Sequence, residues 1–150
     1  MSHDQALDLQ HRLEVVVDQF ESELEKVEKI TSREELNTLL DAAEALGTVL
    51  NEVKTYFIDV RNQLTNIHGI PPAKELAQLV IGSSTEALSS IRETLHYFED
   101  LKEKLKVKRK TPITREEINY ADFSARAAIR KSRYIINRIS EQAEDLPEQL

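Results

Sequence analysis

The stretch LNTLLDAAEALGTVLNEVKTYFIDVRNQLTNI, residues 36–67, indicates a helical fold, because its apolar side chains recur alternately three and four positions apart. That spacing places them on one face of an α-helix, where they can pack against neighbouring helices. The alternation keeps its phase across Gly47, so we predict one continuous helix, although glycine costs about 1 kcal/mol relative to alanine inside a helix. The apolar face consists of Leu36, Leu39, Ala43, Leu46, Leu50, Val53, Phe57, Val60, Leu64 and Ile67.

Three more segments have the same spacing and are separated by signals for helix starts and stops. Ser32 with Glu35, and Thr114 with Glu117, are capping-box patterns that open helices, and the run GIPP at 69–72 ends one helix and opens the next. We therefore predict an all-α single domain, 1–150, with helices at about 4–30, 33–68, 72–108 and 115–145. Short connections make consecutive helices antiparallel, so the predicted fold is an up-down-up-down antiparallel four-helix bundle with long helices.

The other predicted helices also have a core-facing set of small or apolar residues. In helix 3 the pattern continues across Gly82, with a helix break and a new start capped by Ser83 as the alternative. The sets are Leu13, Val17, Phe20, Leu24 and Val27 in helix 1; Ala73, Ala77, Val80, Ser84, Ala87, Ile91, Thr94, Phe98, Leu101 and Leu105 in helix 3; and Ile118, Ala121, Ala125, Ala128, Ser132, Ile135 and Ile139 in helix 4.

Further apolar residues lie beside these sets: Val15, Val16, Leu40, Val49, Tyr56, Leu76, Leu79, Leu88 and Leu95. We interpret them as the edge of a wide core-facing stripe, which a globular bundle requires. The alternative is a second apolar face through which two copies of the chain form a homodimer.

The composition indicates a soluble, helix-rich protein, since 40% of the residues are hydrophobic, 31% are charged and 5% are aromatic. The chain contains no cysteine, which excludes disulfides, thiolate metal sites and a cysteine nucleophile. The first ten residues lack the pattern of a signal peptide, and no apolar run approaches the ~20 residues that span a bilayer. We therefore expect a cytoplasmic protein that does not act at a membrane.

Two carboxylate-x-x-histidine patterns, Asp8 to His11 and Glu93 to His96, are of the kind found in di-iron helical bundles. In the predicted topology these two histidines fall at opposite ends of the bundle, and the core-facing positions are nearly all aliphatic. Neither a Gly-x-Ser-x-Gly turn nor a glycine-rich phosphate loop occurs. We expect no metal site and no cofactor.

The end of helix 2 carries one arrangement with catalytic potential. Arg61 and His68 are seven residues apart and share one helix face; an arginine can hold a phosphate, and a histidine can transfer protons near neutral pH. Arg61, followed by Asn62 and separated by six residues from His68, resembles the motif of HEPN-type ribonucleases, which are small helical bundles. The resemblance implies metal-independent RNA cleavage by Arg61, Asn62 and His68 at a site shared between two protomers.

A structural explanation for the same residues is also available, and we favour it. His68 directly precedes Gly69 at the predicted helix end, where a cation complements the carboxyl end of the helix dipole. Arg61 would then pair with an acidic residue of helix 1. On this interpretation no residue of the chain is catalytic.

Charge is unevenly distributed along the chain, although the net charge is −7. Residues 101–140 carry 12 Lys and Arg but 4 Asp and Glu, whereas residues 1–100 carry 8 and 19. Arg126, Arg130 and Arg133 share one face of helix 4, and no glutamate lies between Arg126 and Arg138, so we expect this face not to be neutralised within its own helix. The candidate partner-binding residues are Lys106, Lys108, Arg109, Lys110, Arg126, Arg130, Lys131, Arg133 and Arg138.

These residues give three hypotheses for function. The favoured one is a non-enzymatic interaction or regulatory protein whose basic face on helix 4 contacts an anionic partner, either an acidic protein face or a nucleic-acid backbone. The alternatives are a HEPN-like ribonuclease and a structural subunit of a nucleic-acid-binding complex. Neutralisation of the basic face across the bundle is the competing explanation, with the acidic residues of helix 1 as partners: Glu14, Asp18, Glu21, Glu25 and Glu28.

Overall fold

The fold is all-α in the computed structural model, which describes residues 2–26, 33–65, 71–106 and 114–146. These residues form four α-helices: α1 (Ser2–Leu24), α2 (Arg33–Thr65), α3 (Pro71–Lys106) and α4 (Arg115–Gln142). A short 3-10 helix, Ala143–Asp145, follows α4. The described ranges contain no β-strand. None of the four helices combines the length and the apolar character that crossing a membrane requires.

Local hydrogen bonds define the start of α4 and the end of α1. Thr114 caps α4, since its side chain accepts a hydrogen bond from the Glu117 backbone N–H while the Glu117 side chain accepts one from the Thr114 N–H, and the predicted capping box is confirmed. At the end of α1 the Lys26 N–H bonds to the carbonyl of Glu23, three residues back, so the helix tightens and ends at Leu24 rather than near residue 30. The predicted cap Ser32 and the GIPP turn at 69–72 involve residues outside the described ranges.

The predicted core-facing residues form one continuous hydrophobic core. Those that fall in the described ranges are buried, except Leu105 and Ile118, which are half-buried. The further apolar residues beside the core-facing sets differ in their burial: Leu40, Val49 and Leu76 are buried in the core, whereas Val15 is 51% exposed. The rest are half-buried against the core: Val16, Tyr56, Leu79, Leu88 and Leu95. The wide core-facing stripe therefore accounts for all of these residues but Val15.

Each helix packs against two others, because α1 and α3 both contact α2 and α4. The α3–α4 contacts include Lys104 with Glu117, Glu93 with Ser124, and Ser90 with Lys131. The α1–α4 contacts include Arg133 with Asp18 and Glu21. These contacts fix which side of α4 faces the core and which faces solvent.

Gly47 and Gly82 lie inside continuous helices, as predicted. At Gly47 α2 approaches α3 closely, since a Cβ atom there would lie 3.3 Å from Cγ2 of Ile91. At Gly82 a Cβ atom would meet nothing within 4 Å. The lack of a side chain at Gly47 therefore lets α2 and α3 pack closely, whereas at Gly82 there is room for a side chain.

Candidate anion-binding surface on helix α4

Helix α4 packs closely against its neighbours because its buried side consists largely of small residues. Ala121, Ala125 and Ala128 are completely buried, and the Ser132 hydroxyl donates to the Ala128 carbonyl at 2.7 Å. Larger β-branched residues, Ile135 and Ile139, complete the buried side. The cationic side chains are thereby confined to the flanks and the outer side of α4.

Arg126 and Arg133 of α4 form ion pairs with carboxylates. The Arg126 Nε lies 3.0 and 3.1 Å from the two carboxylate oxygens of Asp122, one turn earlier in the same helix. An Arg133 terminal nitrogen donates to both Asp18 and Glu21 of α1, at 3.0 Å each. Partial burial lowers the pKa of Arg133, but these hydrogen bonds and the attraction of the two carboxylates outweigh it and raise the pKa overall.

The expectation that α4 does not neutralise its own arginines is wrong for two of them. Asp122 precedes Arg126 by four residues, and Glu141 follows Arg138 by three, at 3.5 Å. Both carboxylates lie on the same helix face as the arginine that they pair with, just outside the segment from Arg126 to Arg138 that contains no glutamate. Helix α1 also neutralises this surface, but it does so at Arg133.

Arg130 and Lys131 differ from the three paired arginines of α4 in having no carboxylate partner among the described residues. Among the described residues Arg130 is exposed and has no ion-pair partner, and Lys131 donates to the Ser90 hydroxyl at 3.2 Å without contacting a carboxylate. A charge on α4 that is already solvated and unpaired can bind an incoming anion without first breaking an internal contact. Arg130 is thus the cation of this surface most available to a partner.

An open groove of about 440 Å³ runs between α1 and α4 beside Arg130. We call it the α1–α4 groove; it is lined by Glu21, Arg126, Ile129, Arg130, Arg133, Tyr134 and Asn137. Three arginines and one carboxylate face it, and that carboxylate already accepts from Arg133. The groove has the positive character and the planar guanidinium donors that suit carboxylate or phosphate groups.

The remaining predicted partner-binding residues lie at the end of α3 and in the segment that follows it. The Lys106 side chain and residues Lys108, Arg109 and Lys110 lie outside what the structure describes. The nearby Lys104 is not free, since it bridges Glu117 of α4 and Asp100 of its own helix. Its hydrogen bond to Glu117 is the main reason that the pKa of Lys104 is raised.

Sequence reasoning missed Phe123, which joins Tyr120 and Tyr134 as an aromatic component of this surface. Phe123 is 73% exposed, and Tyr120 and Tyr134 are 54% and 46% exposed. The ring of Tyr120 stacks on Tyr97 of α3 with a centroid distance of 6.2 Å. The sequence did contain a signal, because Phe123 falls outside the core-facing positions 118, 121 and 125 and therefore has to point away from the core.

Parts of the other candidate sites fall within the described residues. Arg61 is half-buried on α2 and Asn62 is exposed, while His68, the third residue of the HEPN-like motif, lies outside the described ranges. His11 and His96 are both exposed. Within the four described ranges, no three His, Cys, Asp or Glu side chains cluster in a way that could hold a metal ion.

Comparison with known proteins gives no family assignment. Neither a protein-family model, nor a curated protein, nor a solved structure matches this chain. A function must therefore be argued from the surface of α4 itself.

Proposed function

We propose that this chain is a cytoplasmic, non-enzymatic interaction protein that contacts an anionic partner through the outer side of α4. Arg130, supported by Lys131 and by the arginines of the α1–α4 groove, would receive the partner's carboxylate or phosphate groups. A regulatory role fits a protein of this kind, since it would act by occupying a partner rather than by chemistry.

The observation that carries the proposal is the contrast between Arg130 and its neighbours. Arg126, Arg133 and Arg138 each have a carboxylate within 3.5 Å, whereas Arg130 has none among the described residues although it lies between them. An unpaired arginine beside a groove lined by two others gives an attractive field at a surface that is accessible to a partner.

The proposal includes an up-down-up-down antiparallel arrangement of the four helices. It is supported by the order of the α3–α4 contacts: from Glu117 through Ser124 to Lys131 on α4, the partner residues on α3 fall from 104 through 93 to 90. In this arrangement α4 lies between α1 and α3, and its outer side is covered by neither. The surface is then available along the whole length of the helix.

A charge-reversal experiment tests the proposal. The variant R130E/K131E would be compared with wild type for retention on immobilised poly-L-glutamate and on poly(U) RNA as the salt concentration is raised. We expect wild type to be retained at low salt on at least one of these polyanions, and the variant to elute at lower salt.

The matched control is R92E, because Arg92 is an exposed cation on α3 beside the groove between α2 and α3. R92E should elute close to wild type once its smaller change in net charge is taken into account. Equal losses of retention per reversed charge in R130E/K131E and R92E would show that only net charge matters and would contradict a site on α4. Circular dichroism of each variant would verify that the helices are intact.

A further inference from the structure

The outer side of α4 combines its unpaired cation with exposed aromatic rings. Phe123, Arg130 and Tyr134 are separated by seven and four residues, which places them along one face of the helix over about 16 Å. We call these three residues the α4 anchor stripe. Phe123 is the most exposed of the large hydrophobic residues found on the described surface. Arg130 and Tyr134 also line the α1–α4 groove, so the stripe and the groove form one continuous surface.

Carboxylates around the stripe disfavour a nucleic-acid backbone as the partner. Affinity for nucleic acid rises with the number of phosphates that cations neutralise. Here Arg126, Arg133 and Arg138 are paired with carboxylates of this chain. Arg130 and Lys131, which have no carboxylate partner among the described residues, suffice for one or two anionic groups but not for the long row of phosphates in a nucleic-acid backbone.

The same surface suits a protein partner. Exposed aromatic residues together with arginine are the residue types that contribute most to binding free energy in protein interfaces, where they insert into apolar pockets at the centre of a contact. The carboxylates at the edge of the surface are then part of a polar rim, and Arg130 needs one carboxylate from the partner. A helix laid along α4 can present apolar side chains and a carboxylate over the distance that the stripe spans.

We propose that the α4 anchor stripe binds an amphipathic helix of a partner protein that places a carboxylate opposite Arg130. Phe123 and Tyr134 pack against the apolar face of that helix, and Arg130 pairs with a carboxylate at its edge. This inference rests on the proposed function and adds to it the class of partner and the apolar anchor, Phe123. Charge supplies orientation and the aromatic rings supply most of the affinity.

A displayed library of randomised helical peptides tests this inference with the full-length chain as the bait. We expect the selected peptides to be enriched in Asp and Glu together with Leu, Phe or Trp at helical spacing. Loss of an aromatic anchor typically weakens binding by about thirtyfold or more, so F123A should weaken the selected peptides at least tenfold, and R130E should weaken them as well. L7A is the matched control, since Leu7 is an exposed apolar residue on α1, and it should bind within about twofold of wild type.

The outcomes separate the two proposals. Acidic peptides that lose affinity for R130E but bind F123A as they bind wild type would overturn the apolar anchor and leave the proposed function standing. Peptides indifferent to both substitutions, or no enriched peptide, would overturn the amphipathic-helix inference; retention of wild type on polyanions would then decide the proposed function separately. Tighter binding of poly(U) RNA than of any selected peptide, with loss in F123A, would assign the stripe to base stacking and overturn the inference.

Discussion

Ser84 on α3 gives the sharpest test of the packing. Its side chain is completely buried at a core-facing position, and its hydroxyl oxygen makes no hydrogen bond with any residue that the structure describes. Ser132 on α4 is the matched residue, because it is equally buried but its hydroxyl donates to the Ala128 carbonyl at 2.7 Å. Replacing each serine by alanine therefore removes an unsatisfied hydroxyl in one case and a satisfied one in the other.

The two substitutions should change the free energy of unfolding in opposite directions. A buried hydroxyl without a partner costs about 1–3 kcal/mol, and the helix preference of alanine exceeds that of serine by about 0.5 kcal/mol, so S84A should stabilise the protein by about 1.5–3.5 kcal/mol. S132A loses a hydrogen bond with a net contribution of about 1 kcal/mol and regains the same helix preference. It should therefore be destabilised by about 0.5 kcal/mol.

Urea unfolding followed by circular dichroism at the helical band measures both changes directly. In thermal unfolding the midpoints of the two variants should differ by roughly 4–16 °C, since their stabilities should differ by about 2–4 kcal/mol and, for a chain of about this length, 1 kcal/mol corresponds to about 2–4 °C. A lower midpoint for S84A than for wild type would contradict this expectation, because it would mean that the Ser84 hydroxyl has a hydrogen-bonding partner in solution. Equal shifts in S84A and S132A would refute it too.

Three further predictions concern other parts of the chain. G82A should stabilise α3 by up to about 1 kcal/mol, while G47A should gain less or lose stability because its Cβ would crowd the α3 side chain 3.3 Å away; thermal unfolding compares them. The stabilisation from Lys104 is fully present below the ordinary lysine pKa of 10.5 and is lost as the pH rises through its raised folded-state pKa, so K104Q should be less stable than wild type at neutral pH, and the difference should shrink as the pH is raised past 10.5. RNA incubated in chelator should survive equally with wild type and H68A; cleavage that H68A abolishes would instead support the ribonuclease alternative.

Much of the fold was predictable because helix packing depends on periodic burial. The three- and four-residue spacing identified most of the buried residues of the four helices but not, for example, Ala6 and Leu9 at the start of α1, and the capping box identified the start of α4 at Thr114. The end of α1 was not predictable in the same way. The apolar spacing continues to Val27, but the backbone already tightens at Lys26 through a bond to the third residue back.

The candidate surface was predictable in part. The sequence placed Arg126, Arg130 and Arg133 on one face, but it could not show which of them are paired, since that depends on distances across the bundle. Arg133 meets α1 carboxylates that lie more than a hundred positions earlier in the chain. The position of Phe123 outside the core pattern implies that it is exposed, but a single aromatic residue forms no repeating pattern that marks it as part of a surface, and its importance follows from how far it is exposed.

The most direct test of the central claim is to map the contact in solution by amide chemical shifts of the isotope-labelled full chain during titration with poly-L-glutamate. We expect the largest shifts on α4 from Phe123 to Tyr134 and at the facing residues of α1, with Arg130 among the most affected. R130E should reduce those shifts. Shifts concentrated in the groove between α2 and α3, around Gly47 and Arg92, or spread evenly over the cationic residues, would contradict a binding surface on α4.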